Sequence, residues 1–340
     1  MKHISRPVSP PMHRLISTLL FAASVISSFA TKTCLAEALP KSGRAPEIRL
    51  HGDHISFPIS MVREFPFIEG EVAGVKGKLM LDTGAEQALA INDHRVLLSG
   101  GAVIGKGLFG SGQTFEVMLR PAIKNVHIGS LSYASATQVA SQNAQLLEAI
   151  TPDFLGWIGY WFWDGYALKL DYQQSQATFY KDGPGDYLKG EKIIAELPFE
   201  VRKLPNQPIM HVKIGSVDFA AAFDTGQYGT VYADAETLHR LTREGYLTPS
   251  HADMEKFDVS GLRFDSGAKA AIPAMDVSSS PFAAAQPIGL TETNIITIGY
   301  GFFRQYKTVW DFKGRRIYLL KPAPQASRRA AADLPAPGKQ

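Results

Sequence analysis

Two aspartates in this chain stand in matched settings that could do chemistry together. Asp82-Thr83-Gly84 and Asp224-Thr225-Gly226 each follow an apolar run, Leu79-Met80-Leu81 in one case and Ala220-Ala221-Ala222-Phe223 in the other. A tight turn after a buried strand presents a single carboxylate. Glycine permits the sharp backbone and the close approach of a partner loop, while the threonine hydroxyl hydrogen-bonds locally and holds the loop. If two such turns meet, carboxylates about 3 Å apart cannot both ionise, so they share a proton and titrate as a pair. The ionised member can then take a proton from water while the protonated member donates to a carbonyl oxygen. The expected chemistry is amide hydrolysis with neither metal nor covalent intermediate.

The elements around the motifs repeat as well. Pro66 and Pro208 lie 142 positions apart, as do Asp82 and Asp224. Further on, Trp157-Ile158-Gly159-Tyr160-Trp161-Phe162 matches Thr297-Ile298-Gly299-Tyr300-Gly301-Phe302 at an offset of 140, and Tyr166 with Tyr306 and Asp171 with Asp311 keep that offset. The chain reads as one module of about 140 residues written twice. Most local signals are strand signals: Phe67–Val72, Thr178–Tyr180, Pro208–Ile214 and Arg316–Leu319 are short, β-branched or aromatic, and bounded by Gly, Pro or Asp. One clear helix is expected from an Asp234 cap through Leu238 and Leu241 to Gly245, with a weaker equivalent capped by Asn92 or Asp93. Gly183-Pro184-Gly185 breaks both helix and strand and marks the boundary between the copies. The expected architecture is all-β and bilobal, two lobes related by a pseudo-twofold axis, with few short helices.

The ends read differently from the middle. Lys2, Arg6 and Arg14 precede an apolar run from Leu15 to Ala30, and small residues follow at Ala36 and Ala38. This reads as a secretory signal peptide over 1–36, since 16 residues is short for a membrane span. The only cysteine, Cys34, leaves with it, and Thr31-Lys32-Thr33 lack the apolar and small residues of a lipoprotein site. The remaining chain then has no disulfide, and its stability must come from its core. Removing four basic residues takes the formal charge from +3 to about −1. No Lys/Arg run argues for nucleic acid. The organisation expected is a signal at 1–36, an N-terminal lobe at 37–182, a C-terminal lobe at 183–321 and a disordered tail at 322–340, rich in Ala, Pro and basic residues.

On these motifs the chain resembles the pepsin and retropepsin superfamily of aspartic peptidases, in an exported bacterial two-lobe form, over residues from about 60 to 320. In that family each lobe carries Asp-Thr/Ser-Gly and, later, two apolar residues and a glycine that thread through the catalytic loop. Trp157-Ile158-Gly159 and Thr297-Ile298-Gly299 hold that place, and the stretch from Gly299 to Asp311 is similar to the family's closing segment. The resemblance implies that Asp82 and Asp224 are the catalytic pair, Thr83 and Thr225 the interlocked threonines beneath them, and Gly84 and Gly226 the turn residues. It also implies a flap over the cleft. The candidate is the glycine-rich run Gly105–Gly112, with Gly107, Leu108 and Phe109 against substrate, and a second-lobe counterpart near Val259–Leu262. Where many members have Ser or Thr after the glycine, this chain has Ala85 and Gln227, followed by Glu86 and Tyr228. Alanine there goes with a dyad less well stabilised as the anion, which implies an optimum less acid than a stomach enzyme's. Glu86 is expected to face solvent.

Other motifs have plainer readings. Gly105, Gly107 and Gly110 spell a dinucleotide-binding pattern, but an alternating strand, Gln113–Met118, follows where that fold needs a helix. Asp265-Ser266-Gly267 lies 34 residues before Gly299, too close for the repeat, and reads as a turn. His51 and His54 read as solvated loop residues, and Trp157, Tyr160, Trp161, Phe162 and Trp163 as core or pocket wall. The expected function is an aspartic endopeptidase, periplasmic or secreted, acting on a peptide or protein substrate. It needs no metal and no cofactor, binds no nucleic acid, keeps no stable membrane anchor after signal cleavage, and works as a monomer. The alternative is a peptide- or partner-binding protein on the same fold without turnover.

Overall fold

Phe65–Val72 and Val75–Leu81 form an antiparallel hairpin whose second strand delivers the first Asp-Thr-Gly. Side chains alternate along a strand, so Leu79 and Leu81 enter one apolar cluster and Met80 another, leaving the strand end buried on both faces. The computed structural model describes residues 25–26, 48–228, 231–250, 256–264, 275–276 and 282–322. With 47% strand against 12% helix, spread over several sheets, the protein is all-β with a few short helices. The expected signal and tail lie outside the described residues, apart from Pro322 and a two-residue strand, Val25–Ile26, that pairs with Leu108 and Phe109. Asp265-Ser266-Gly267 lies outside them too.

The two motif strands sit in the same local order. In the first half the neighbours run Leu89–Asn92, Phe154–Ile158, Val75–Leu81, Phe65–Val72, and in the second Val231–Ala233, Ile295–Ile298, Val217–Phe223, Ile209–Ile214. Each motif strand pairs in parallel with a strand that arrives much later in the chain, Leu81 opposite Ile158 and Phe223 opposite Ile298. That late strand pairs antiparallel with the one that follows the motif.

A six-stranded sheet takes three strands from each side of Gly183. Its order is Ile193–Pro198, Arg316–Leu320, Lys307–Asp311, Ala167–Asp171, Gln176–Tyr180, His54–Pro58. The central antiparallel pair sets Lys169 opposite Val309, 140 positions on, so the repeat equivalents pair with each other. One cluster of buried side chains runs through both halves, from Leu81, Ile158 and Phe162 to Phe223, Ile298 and Trp310. Across this sheet Glu191 accepts from Lys169 at 2.6 Å and from Lys307 at 3.1 Å, Lys307 also meets Asp171 at 3.3 Å, and Lys169 donates to the Tyr187 carbonyl at 2.8 Å. Tyr187 in turn donates to Asp311 at 2.6 Å.

Two expectations about elements need correction. The helix Ala235–Arg243 is present, its Asp234 side chain accepting from Thr237 N at 2.7 Å, but no helix follows Asn92. There the Asn92 side chain accepts from His94 N and Ala144 N, and donates to Glu148 and the Phe154 carbonyl. That holds the chain in a single turn, and Gly100 and Gly101 follow before a helix can propagate. The second correction is near Val259. Lys256–Val259 pairs with Leu247–Pro249, whereas Leu262–Phe264 pairs with Ile209–Ile214. The chain therefore changes sheets at Ser260 and Gly261, and the expected flap counterpart is a corner.

Candidate active site

Each Asp-Thr-Gly leaves its strand as a turn, and the two turns meet. Thr83 N donates to Thr225 Oγ1 at 2.9 Å and Thr225 N donates to Thr83 Oγ1 at 3.0 Å. The Thr225 hydroxyl also reaches the Leu81 carbonyl at 3.2 Å. These reciprocal bonds are buried, so each threonine satisfies a backbone N–H of the other loop that would otherwise be costly to desolvate. Thr83 and Thr225, which the resemblance implies are interlocked, make these bonds, and Gly84 and Gly226 are the next residues in each turn.

The carboxylates above them are brought within reach of the same donor. Gly84 N–H donates to Asp82 Oδ1 at 2.7 Å and to Asp224 Oδ1 at 3.1 Å, a shared bond, and Gly226 N–H donates to Asp224 Oδ1 at 2.7 Å. A methyl on Gly84 would collide with the Asp224 carboxylate, and one on Gly226 with that of Asp82. Both aspartates are buried. Burial pushes the Asp82 carboxyl well above its ordinary value, and the Asp224 charge and a hydrogen bond shared with Asp224 raise it further. The Gly84 and Ala85 N–H groups pull the other way. No backbone N–H or hydroxyl among the described residues donates to Asp82 Oδ2, and residue 85 is an alanine with no side-chain donor to offer.

Gly226→Ala tests this approach directly. Overpacking against a buried carboxylate is expected to cost about 1–3 kcal/mol of stability, read from urea unfolding. A variant as stable as the wild type would contradict the contact.

The late strands close the site from behind. Asp82 N donates to the Ile158 carbonyl and Asp224 N to the Ile298 carbonyl, both at 3.1 Å. Past those strands, Tyr160 N donates to the Ala85 carbonyl at 2.9 Å and Tyr300 N to the Gln227 carbonyl at 3.3 Å. Gly159 and Gly299 lie so close to these carbonyls that a Cβ has no room, which accounts for the repeated Ile-Gly-Tyr.

Gly107, Leu108 and Phe109 end a strand, Ala102–Phe109, that pairs antiparallel with Thr114–Arg120. Phe109 is buried against Phe115 and Trp157, at ring distances of 4.6 and 6.4 Å. Gly107 lies under the Phe115 ring, and Leu108 is half-buried. The hairpin tip reaches the second half of the chain, where a Cβ on Gly112 would lie 3.6 Å from that of Ala283. The hairpin therefore bridges the two halves, with Phe109 turned into an apolar cluster that includes Phe65, Ala85 and Trp157.

Glu86, expected to face solvent, lies at the partly covered edge of the surface beside Trp161. It is half-buried, burial raises its carboxyl above the ordinary value, and Trp161 Nε1 donates to it at 3.4 Å. Of the aromatic run, Trp157, Phe162 and Trp163 are core, while Trp161 is 37% exposed. Gln227 is buried and its Nε2 has no acceptor among the described residues. Tyr228 packs on Phe65 at a ring distance of 6.2 Å. His51 and His54 are exposed, and His54 lies against Tyr180. Among the described residues no group of three or more His, Cys, Asp or Glu is placed to hold a metal ion.

The repeat did not point to Asn206 and Gln207. Both are buried, and they cross from the second half to the first loop: Asn206 Nδ2 donates to the Thr83 and Gly84 carbonyls at 3.1 and 2.9 Å, and Gln207 Nε2 to the Gly84 carbonyl at 3.0 Å. The available signal was Pro208, which repeats Pro66, preceded by two amides where the first half has Glu64 and Phe65.

No protein-family model matches the chain, and no curated protein matches it.

Proposed function

We propose that the protein is an aspartic endopeptidase of the pepsin and retropepsin kind. The observation that carries this reading is the pair of buried carboxylates held around one shared N–H by reciprocally bonded threonines. Burial and mutual repulsion favour one proton between them. The ionised carboxylate then acts as general base toward a water as the protonated one donates to the scissile carbonyl. The two N–H donors at Gly84 and Gly226 hold the carboxylates in place through both steps. The hairpin Ala102–Phe109/Thr114–Arg120 is the proposed flap over an extended peptide. The leading segment supports an exported protein, periplasmic or secreted, with a peptide or protein as substrate.

A second reading, a binding protein without turnover, is favoured by Ala85, which leaves Asp82 Oδ2 without the hydroxyl donor that many members of the family have, and by Gln227, which stands at the same place after Asp224-Thr225-Gly226. Cleavage of a diverse peptide library across pH separates the two. The peptidase reading expects turnover with an optimum above about pH 3, because the pair is poorly stabilised as its anion. Folded protein that cleaves nothing at any pH would establish the binder.

A further inference from the structure

We propose that Asn206 and Gln207 are positioning residues for the Asp82/Asp224 pair, acting through the two peptide groups on either side of Gly84. The proposal rests on the reading of the pair as a proton-sharing site, and goes beyond it by assigning the control of that proton to the opposite half of the chain.

One peptide plane links Asn206 to the carboxylates. The Thr83 carbonyl and the Gly84 N–H belong to the same peptide group, and this N–H is the one donated to both Asp82 and Asp224. Asn206 Nδ2 donates to that carbonyl at 3.1 Å. A donor on the oxygen of an amide polarises it and strengthens its N–H as a donor in turn, so the bond from Asn206 is relayed to the carboxylates. The next carbonyl, Gly84, takes two amides, Asn206 at 2.9 Å and Gln207 at 3.0 Å, which fixes the rotation of the loop below the carboxylates. Asn206 and Gln207 are 0% and 2% exposed, so these bonds are made without competition from solvent.

The arrangement is not repeated. The positions 142 before Asn206 and Gln207 are Glu64 and Phe65. Glu64 has a left-handed backbone, φ 72°, and meets Arg304 at 3.5 Å, while Phe65 packs its ring on Tyr228. The two loops, alike in their threonines and glycines, thus differ in what grips them from across the interface. The first loop is gripped by neutral amides, which bring no charge next to the carboxylates. The arm that carries them is itself tied down, since Arg202 holds Glu292 through both carboxylate oxygens, at 2.6 and 3.0 Å, and the Gly289 carbonyl at 3.0 Å. Three further titratable groups lie on the segments that flank the two loops or match the Asn206–Gln207 arm in the repeat. Glu86 is bonded to Trp161, Tyr228 lies against Phe65, and Glu64 faces Arg304. None of them touches the Thr83–Gly84 peptide in the bonds described.

The sign follows. The Gly84 N–H favours the ionised carboxylate, so weakening it moves the titration of the pair toward higher pH. The test is the titration of carbon-13-labelled aspartate by NMR on the full chain, for wild type, Asn206→Ala and Gln207→Ala, alongside the acid limb of peptide cleavage. Asn206→Ala is expected to raise the pair's midpoint by about 0.5–1 pH unit, and Gln207→Ala by less, because only Asn206 reaches the peptide that carries the shared N–H. A merely structural role would lower stability and leave both midpoints in place, and that result overturns the proposal. So does an equal or larger shift in Gln207→Ala. Should Asn206→Ala fail to fold, Asn206→Ser carries the same comparison with the same expected direction. If the wild type cleaves no peptide, the peptidase reading fails while the titration still decides this inference.

Discussion

Asp82→Asn is expected to remove peptide cleavage and at the same time make the folded protein more stable at neutral pH. On the peptidase reading the loss of activity is about 10²–10⁴-fold, the size of one general acid–base contribution, and Asp224→Asn is expected to match it because that reading needs both carboxylates. The gain in stability comes from the same geometry. Asp82 is 0% exposed and its carboxyl is raised by burial and by Asp224, so ionising it is less favourable in the folded state than in the unfolded chain. Below the unfolded value of about 3.9 both states are protonated and the residue contributes nothing. As pH rises from there through the raised folded value, the folded state is progressively penalised. Asparagine keeps the shape and an acceptor for Gly84 N–H without that penalty. Urea midpoints for wild type and Asp82→Asn should therefore coincide near pH 3 and diverge as pH rises, with the variant the more stable. Equal cleavage by wild type and both variants would sink the site assignment. A variant less stable at neutral pH would mean that the carboxylates do not repel.

Sequence and structure agree most closely where the pattern is local. Asp-Thr-Gly after an apolar run is a strand and its turn, and the Ile-Gly-Tyr repeats mark the partner strands because a glycine is needed wherever a second backbone passes a loop carbonyl. The strand Thr114–Arg120 was legible as the alternating run Gln113–Met118, whereas Gly105–Phe109, expected within a glycine-rich tip, forms the end of the strand Ala102–Phe109. What was not legible depends on contacts between residues far apart in sequence. Asn206 and Gln207 reach the first loop across 122–123 positions, and the one local signal, two amides before the repeated Pro208, does not say what they bond. The helix expected after Asn92 failed likewise, because its Asn92 cap is bonded to Ala144 N, 52 residues on, as well as to His94 N, two residues on. Asp171 and Asp311 were visible as a repeat, but a repeat does not say that its copies pair in one sheet. That sheet, with Lys169 opposite Val309, makes the two halves of the chain one structure.

The same sheet yields the second large effect, at Glu191. Its carboxylate is only 13% exposed and bridges Lys169 from the first half and Lys307 from the second, which are 11% and 15% exposed. Glu191→Gln keeps the shape and removes the charge, leaving both ammonium groups short of their main partner. Breaking a buried pair by removing one member is expected to cost about 3 kcal/mol, measured at pH 7 by urea unfolding. Its pH dependence runs opposite to that of Asp82. Burial raises the Glu191 carboxyl, but the hydrogen bonds and charges of the two lysines outweigh it and hold the group below its ordinary value. A lowered folded value means that the stabilisation is full above the unfolded value of about 4.3 and is lost as pH falls through the folded one. The deficit of Glu191→Gln should therefore be constant from about pH 5 upward and close in acid, whereas the advantage of Asp82→Asn opens as pH rises. If the deficit instead persisted unchanged at pH 2, the carboxylate would be acting through packing and not through its charge. The two carboxylates set opposing demands on the same fold. Acid dissolves the ionic tie between the halves, while rising pH forces charge onto the pair they enclose, so wild-type stability is expected to peak between the two transitions.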